Sequence, residues 1–480
     1  MLGPGVHSIL RNGAFLLGTA WFGTALRTGY IIILARALGP AGYGLISSTQ
    51  ASYMMFVIAV SAGMPAFLSR ERAAGRARGD ESVRLTLIVQ ATALSFSAAA
   101  FFLLGFATEA DAVTRLVFIL FAGTVVARGL AVCARHVFVA FETSQHQFWL
   151  ISIFRTGEVL SAAGALALGG GVVAIAVIHL VSWVLQAVAG LVLVHRRLAA
   201  LRLRWPNFAR LRAVAVGVLG ISIALAAGDW LRLAPLAAVR YVAEDAPDVG
   251  QFALAWNAAV ILSLMLVTAM NAAFPVISRA RARADGKDAV YVDFCIRYGV
   301  LFGAAVLVAG MSFGPRVIVA VAGAKYASAG AIFAVALTLL SPIIIGYALD
   351  QTLLLWKRTR LVLSLNGGAL AAVVAGFVPA FRTFGPIGAV LVVFAVLAVL
   401  VFVKVIVARR VAGMFLLPSL LRAAVSAGGA LAAEALLSSL SPWVGLAGGL
   451  AVLGLMAFAS RAITDRERDA FLRIVRTRNL

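Results

Sequence analysis

The chain has 480 residues, of which 62% are hydrophobic and only 12% charged, and its mean hydropathy is +1.01. A soluble domain is about half apolar and about a quarter charged. Its surface-to-volume ratio could not hide this much apolar surface, so a soluble fold is excluded. The formal net charge of +22 would indicate nucleic-acid binding in a soluble protein. Here the arginines concentrate in short segments between apolar runs, which is typical of the cytoplasmic loops of polytopic membrane proteins.

Apolar runs of about 20 residues, long enough to cross a bilayer, recur along the whole sequence. The first opens after Arg11 and is too long for the h-region of a signal peptide, so we expect a membrane span and no cleavable leader. The count, about 14 by the same length criterion, predicts an all-α polytopic protein with both ends on one side of the membrane. The predicted spans are 12–38, 43–69, 83–106, 113–140, 149–168, 172–194, 212–239, 250–277, 291–314, 328–355, 361–381, 386–408, 416–438 and 442–460.

The loops predict the orientation of these spans. The loops after spans two, six, eight, ten and twelve are basic, as is the tail, whereas the alternate loops hold acidic residues or glycines. Because cytoplasmic loops carry the excess of Lys and Arg, we expect the basic loops and both termini in the cytoplasm. The basic residues are Arg70, Arg72, Arg76, Arg78, Arg196, Arg197, Arg202, Arg204, Arg279, Arg281, Arg283, Lys287, Lys357, Arg358, Arg360, Arg409 and Arg410, and the alternate loops hold Glu109, Asp111, Gly169, Gly170, Gly171, Glu244, Asp245 and Asp248.

Short landmarks recur in the same order about 208 to 210 residues apart, as from Gly42 to Gly250, which indicates an internal duplication. Six spans separate the copies, so equivalent helices have the same orientation. This predicts two six-helix bundles related by an axis along the membrane normal, a central cavity between them and two further helices. The predicted parts are 1–205, 206–412, 413–460 and a basic tail, 461–480. The landmarks are Gly42-Tyr43-Gly44, Pro65 and Ser69-Arg70 in one copy and Gly250-Gln251-Phe252, Pro275 and Ser278-Arg279 in the other.

One segment carries a family resemblance. Leu34-Ala35-Arg36-Ala37-Leu38-Gly39-Pro40-Ala41-Gly42-Tyr43-Gly44 resembles the first loop of the polysaccharide transporter family, which shows an Ala-Arg-x-Leu-Gly-Pro-x-x-Tyr-Gly pattern there. Two further segments match the layout of that family, Phe274-Pro275-Val276-Ile277-Ser278-Arg279 and Phe384-Gly385-Pro386-Ile387-Gly388-Ala389. The family belongs to the multidrug, oligosaccharidyl-lipid and polysaccharide exporter superfamily, with O-antigen flippases, relatives of the lipid II flippase, and multidrug and toxin extruders.

The resemblance implies a flippase that works by alternating access in the bacterial cytoplasmic (inner) membrane. Its substrate would be an oligosaccharide linked to polyprenyl pyrophosphate, with undecaprenyl as the expected carrier, for O-antigen, capsule or exopolysaccharide synthesis. By the same resemblance, cavity arginines would meet the pyrophosphate, and the last two helices would shape a groove for the lipid tail. Membrane lipids, a polysaccharide polymerase and glycosyltransferases are the other expected partners. We expect a monomer, because both bundles lie in one chain.

Charged side chains inside the spans are the candidate site. Each costs about 2.5–3.5 kcal/mol at a helix centre, so those present usually face a cavity or a partner. Arg27 lies 16 residues after Arg11, roughly 24 Å along a helix. Arg232 lies on the equivalent span seven, on one face with Asp229 and Arg240. The planar fork of arginine binds phosphate oxygens bidentately and stays charged. We therefore predict that the pyrophosphate binds Arg27, Arg232, Arg128 and Arg240.

Other interpretations of these charges stay open. Asp229 and Arg232, at i and i+3, could pair within their helix, and Asp350 could couple ion movement or pair with another charge. Arg240 lies near the outer end of its span, where snorkelling is an alternative. Arg155 and Glu158 are spaced for a pair within one helix, for which we favour a structural role. A polar contact between helices explains His179 and Gln186 as well as substrate contact does, and no role is assigned to Arg135 and Glu434.

The sequence disfavours an enzyme. It has no Asp-x-Asp metal motif and no P-loop, and its longest outer loop is about ten residues, too short for a catalytic domain. We therefore expect no catalytic residue, cofactor, metal site or nucleic-acid partner, and the widely separated Cys133 and Cys295 imply no disulfide. An ion-coupled multidrug exporter is the main alternative, although drug cations favour acidic or aromatic cavities. A membrane glycosyltransferase or polymerase, and a scaffold without transport, are lesser alternatives.

Overall fold

A computed structural model describes residues 4–73, 79–109, 111–198, 207–283, 287–464 and 467. Throughout this part of the chain the regular elements are helices. The apolar runs form helices because a backbone surrounded by lipid must satisfy its N–H and C=O groups within its own segment. Large apolar side chains lie on the outer surface of the helices, among them Phe96, Leu160 and Leu455. Lipid suits this surface and water does not, so the predicted all-α multi-pass membrane fold is confirmed.

The chain divides into two compact units, Met1–Ala253 and Leu254–Leu480. Within the first unit, α4 packs against α3 and α6, and α1 packs against α4, α5 and α7. The helices of the first unit are α1 (Pro4–Ser61), α2 (Met64–Ala73), α3 (Gly79–Thr108), α4 (Ala112–Ala140), α5 (Ser144–Ala167), α6 (Val172–Arg197) and α7 (Phe208–Ala238). α8 (Ala246–Arg283) begins in this unit and continues into the second.

Within the second unit, α9 packs against α10, α11, α13 and α14, and α11 packs against α12. A core of apolar residues fills the space between α9 and the last two helices, and includes Val308, Ala423 and Ala457. The helices are α9 (Lys287–Ala322), α10 (Ala327–Ala336), α11 (Leu340–Leu355), α12 (Thr359–Ala412), α13 (Leu417–Leu437) and α14 (Pro442–Ala459).

Two helices are interrupted by a Gly-Pro step. Gly39 in α1 has φ 67° and ψ 179°, and Gly385 in α12 has φ 68° and ψ −167°. A side chain is strained at such φ values, and the prolines that follow, Pro40 and Pro386, have no N–H to donate to the preceding turn. Both breaks fall between predicted spans, which end at 38 and 381 and resume at 43 and 386.

The breaks resolve the number of spans. In the described part of the chain, 11 helices are long and apolar enough to cross a membrane, or 12 with the bent pair Phe208–Ile223 and Leu225–Tyr241. The two interrupted helices count once each there, with 44 and 54 residues. They are roughly 66 and 81 Å long, more than twice the roughly 30 Å hydrocarbon core. Each therefore crosses twice, and the predicted total of about 14 is confirmed.

The N-terminal part of α8 packs tightly on the break in α1. A Cβ placed on Gly250 would lie 1.9 Å from the carbonyl oxygen of Pro40, and one on Gly44 would lie 2.6 Å from the Gly250 nitrogen. The glycine landmarks of the two predicted repeats are thus in contact within the first unit.

The predicted division after residue 205 rests on the duplication rather than on packing, and it stays a prediction. Several residues that predict the orientation lie outside the described residues: Arg76, Arg78, Arg202, Arg204 and the tail from residue 468 onward.

Candidate functional site

Three of the four predicted arginines come together within the first unit. Arg27 is exposed on the surface of α1 and interacts electrostatically with Arg128 of α4 and Arg232 of α7. Like charges within reach of one another repel, and they persist only where other interactions or a ligand offset the repulsion. These helices therefore hold a concentrated positive potential inside an apolar environment.

Arg128 is held by aromatic residues rather than by a carboxylate. Its Nη1 donates to the Tyr53 hydroxyl at 2.6 Å, and its guanidinium carbon lies 4.5 Å from the Trp183 ring centroid. Its Nε is buried with no hydrogen-bond partner in the described part of the chain. The ring face stabilises the cation, but a buried donor without a partner costs free energy that a suitable acceptor would recover. The orientation of Arg128 is fixed while part of its hydrogen-bonding capacity is unused.

Behind Arg128 lies a buried group of charged residues on α5 and α6. Glu158 is 5% exposed and forms an ion pair with Arg155 on the same helix. Its other oxygen, Oε1, lies 2.5 Å from His179 Nδ1. Arg155 also donates to the Ser182 hydroxyl at 2.8 Å, and its guanidinium carbon lies 3.8 Å from the Trp183 ring centroid. Arg128 and Arg155 thus contact the same indole, but Arg155 is neutralised by a carboxylate.

The hydrogen bonds around His179 define its protonation state. Trp183 Nε1, which can only donate, lies 3.2 Å from His179 Nε2, so Nε2 is the acceptor. The Tyr53 hydroxyl lies 2.8 Å from the same nitrogen and donates to it, while its oxygen accepts from Arg128. The proton of the neutral ring is therefore on Nδ1, which donates to Glu158. A continuous chain of hydrogen bonds runs from Arg128 through Tyr53 and His179 to Glu158.

The two predicted arginines at the C-terminal end of α7 and just beyond it each form an ion pair. Arg232 forms an ion pair with Asp229, the i and i+3 pairing that the sequence left open. Arg240, in the short 3₁₀ turn after α7, pairs with Glu109 at 2.8 Å and donates to Thr49 at 3.0 Å. These contacts give Arg240 a structural explanation, and its predicted role in binding substrate stays a prediction.

Asp350 lies in the second unit in a separate buried cluster. Its carboxylate lies 2.7 Å from the Lys404 ammonium and accepts from Asn366 Nδ2 at 3.1 Å. Lys404 is 1% exposed and Asn366 2%. Lys404 is therefore the partner that the charge-pairing interpretation of Asp350 requires. Glu434 of α13 accepts from the Ser312 hydroxyl at 2.9 Å, a contact that the sequence did not suggest.

Sequence reasoning missed Tyr53, Trp183 and Lys404. In the sequence Tyr53 and Trp183 resemble ordinary core aromatics. Their role becomes visible only from the hydrogen bonds of the Tyr53 hydroxyl and the Trp183 N–H in the folded structure. Lys404 was detectable, because it is a lone charge within the apolar run 386–408. Arg155, Glu158 and His179 were noticed, but their connection to Arg128 could not be seen.

The helical fold is similar to that of solved transporters of the multidrug, oligosaccharidyl-lipid and polysaccharide exporter superfamily. The lipid II flippase MurJ, in an inward closed conformation, has a similar fold, with a TM-score of 0.69 and 9% identity over 93% of this chain and 99% of that one. An inward-facing multidrug resistance MATE family transporter has a TM-score of 0.65 and 15% identity, over 82% of this chain and 95% of that one. A third similar structure is a transporter of the same superfamily from Pyrococcus furiosus, described as having a binding pocket of reverse polarity. Its TM-score is 0.63 and its identity 16%, over 85% of this chain and 96% of that one. Identities this low show the fold alone.

The family is shown by sequence. A family model described as polysaccharide biosynthesis protein matches residues 9–281, more than half of the chain. The chain therefore belongs to the polysaccharide biosynthesis protein family, as the motif around Gly39 predicted. None of the curated proteins matches the sequence.

Proposed function

We propose that the protein is a flippase that moves a polyprenyl-pyrophosphate-linked oligosaccharide from the cytoplasmic to the outer leaflet by alternating access. The observation that carries the proposal is the surroundings of Arg128. In the described part of the chain its guanidinium meets the Tyr53 hydroxyl and the Trp183 ring face, and no carboxylate forms an ion pair with it. The neighbouring Arg155, by contrast, is paired with Glu158. An anionic substrate would supply the missing negative charge.

A pyrophosphate diester has the chemistry that this site lacks. It carries two negative charges on oxygens spaced for several N–H donors, and arginine binds such oxygens with two parallel hydrogen bonds. The unsatisfied Nε of Arg128 is one such donor. Arg27, exposed on α1 and within electrostatic reach of both Arg128 and Arg232, would let a single pyrophosphate contact more than one arginine.

A multidrug exporter is the second candidate, because the fold is shared with multidrug transporters. Drug cations would be repelled by Arg128, with which no carboxylate pairs in the described part of the chain. The aromatic faces of Tyr53 and Trp183, which could bind a cation, already contact Arg128. The charge of the site therefore favours the flippase.

The remaining parts of the proposal follow the family and the sequence. We place the protein in the bacterial cytoplasmic membrane as a monomer, with both termini in the cytoplasm. Its product would serve O-antigen, capsule or exopolysaccharide synthesis together with glycosyltransferases and a polymerase. The basic loops support the orientation through the positive-inside rule.

The decisive experiment follows the lipid-linked glycan in cells that lack the gene, with the two leaflets resolved. We expect the glycan lipid to accumulate on the cytoplasmic face. The wild-type gene should restore transport and Arg128→Gln should not, because losing charge-assisted hydrogen bonds of about 1.5–3 kcal/mol lowers affinity roughly 10- to 100-fold.

Arg358→Gln, at an exposed arginine in the second unit, is the matched control and should restore transport fully. Normal appearance of the glycan lipid in the outer leaflet without the gene would refute the flippase, and drug export would then be measured. Full restoration by Arg128→Gln would remove Arg128 from the site while leaving the function standing.

A further inference from the structure

His179 connects the arginine site to a second ligand, a proton. We propose that His179 Nε2 is a proton-binding site that is energetically coupled to anion binding at Arg128, so that each ligand strengthens the binding of the other. The coupling rests on the proposed function only in that the anion is taken to be a pyrophosphate diester. The proton-binding site itself follows from the geometry around the imidazole.

Groups from three neighbouring helices face the imidazole. Glu158 and Arg155 face it from α5, and Arg128 from α4. Tyr53 faces it from α1, and Tyr30, also on α1, is buried near Glu158. The indole of Trp183 lies one turn away on α6 itself. Among these, His179 is the side chain whose ordinary titration lies near neutral pH.

In the neutral state the hydrogen bonds around the imidazole are mutually consistent. Nδ1–H of His179 donates to Glu158, and Nε2 accepts from both the Trp183 N–H and the Tyr53 hydroxyl. Since the single tyrosine hydrogen points to His179, the tyrosine oxygen is available to Arg128, 2.6 Å away. The neutral imidazole is thus the form that holds Arg128 on Tyr53.

A proton taken from water onto the lone pair of Nε2 would reverse these contacts. The new N–H would face the Trp183 N–H at a separation of 3.2 Å, which is a repulsive contact between two donors. Tyr53 would have to accept from His179, and its oxygen would then face two cationic donors, imidazolium and Arg128. The single carboxylate, Glu158, is already paired with Arg155. The protonated ring therefore weakens the hold of Tyr53 on Arg128.

An anion bound to Arg128 removes that penalty. It offsets the added positive charge and takes the guanidinium donors that Tyr53 would release. Binding of the anion and of the proton must then favour each other by the same factor, because coupling between two sites is reciprocal. The network links substrate to proton without direct contact between them. A purely structural role for His179 predicts no such linkage.

The test is the number of protons taken up when an anion binds to the purified full-length protein. UDP-glucose is a suitable probe, because it is a soluble pyrophosphate diester whose phosphates do not titrate near neutral pH. Its binding heat is measured by isothermal titration calorimetry at about pH 7 in buffers of different ionisation enthalpy. We expect uptake of about 0.2 to 1 proton per bound anion, and affinity that rises by up to about tenfold per unit decrease in pH.

The variants separate a coupled proton from a structural contact. Tyr53→Phe keeps the ring packing but removes the hydroxyl that joins His179 to Arg128, so binding should persist with less proton uptake. His179→Gln should bind UDP-glucose with no uptake. His146→Gln changes a histidine of α5 that contacts Phe138, outside this network, and should behave as wild type.

Binding by the wild type without proton exchange, or unchanged uptake in His179→Gln, would overturn the coupling and leave the anion site intact. Binding that is equally weak in the wild type and in Arg128→Gln would refute the anion site, and the coupling with it. The two failures are thus distinguishable.

Discussion

Replacing Lys404 in the second unit tests whether intramembrane charges stabilise this fold through their partners. Lys404→Met would remove the ammonium that lies 2.7 Å from Asp350 Oδ1, in a position that is 1% exposed. Breaking a buried ion pair by removing one partner costs about 3–5 kcal/mol. The Asp350 side chain is 17% exposed, so solvent reduces the free-energy cost of leaving its charge unpaired. We therefore expect a loss of about 3 kcal/mol, or roughly 6–12 °C in Tm for a unit of this size.

The two buried cysteines provide the assay. The sequence contains only Cys133 and Cys295, and both are buried and free. In a Cys133→Ala background, a thiol-reactive fluorescent dye reports unfolding around Cys295 alone, in the second unit. Lys357→Met, at an exposed lysine, is the matched control and should leave Tm unchanged.

The double variant supplies the refuting result. Replacing Lys404 and Asp350 together by leucine removes both charges, and apolar replacement of a whole buried pair is often neutral. We expect the double variant to recover most of the Tm lost in Lys404→Met. A single variant as stable as the wild type, or a double variant no more stable than the single, would show that the pair contributes nothing through charge.

Two further predictions concern packing and the C-terminal segment. Gly250→Ala should destabilise the protein by more than about 2 kcal/mol, because its Cβ would lie 1.9 Å from the Pro40 oxygen. The control is Gly220→Ala, which has open space around it and should be neutral or slightly stabilising. Thermal unfolding compares the two variants, and equal melting temperatures would refute the contact. Burial raises the pKa of the Glu467 carboxyl, but hydrogen bonds from Arg297 and Thr464 outweigh this and lower it to about 2. Stability from this carboxylate is thus present above its ordinary pKa and is lost as the pH falls toward 2. Glu467→Gln should lower the free energy of unfolding by about 1–2 kcal/mol at neutral pH, after allowance for solvent screening. The difference in Tm between this variant and the wild type should shrink below about pH 4.5. A difference that is independent of pH would contradict the lowered pKa of Glu467.

The spans were predictable because the bilayer imposes a length on every segment that crosses it. A run of apolar residues interrupted by Gly39-Pro40 or Gly385-Pro386 can be divided from sequence, since the dipeptide disfavours a continuous helix. The packing of the helices was not predictable in the same way. Apolar side chains serve equally well against lipid and against another helix, so hydropathy does not show which faces meet.

The site was predictable as far as charge alone identifies it. Arg27, Arg128 and Arg232 were selected as candidates because a charge inside a span is costly. The difference between Arg128 and Arg155 was not predictable, because the Tyr53 and Trp183 side chains that meet Arg128 come from other helices. Arg155 and Glu158 share one helix, so their pairing could be read from the i and i+3 spacing, whereas the contact between His179 and Glu158 joins two helices and needs the fold.

Charge balance separates the groups that maintain the fold from the group that we assign to substrate. Lys404 with Asp350 and Arg240 with Glu109 each bring one cation to one carboxylate, and such pairs need no ligand to be stable. Arg128 differs from them, because in the described part of the chain its donors meet a phenol and an indole face, and its Nε meets nothing. A structural arginine would gain from a carboxylate at this position, as Arg155 does one helix away. An arginine that must bind and release an anion would bind it more weakly beside a carboxylate, because the carboxylate would compete with the substrate for the same donors.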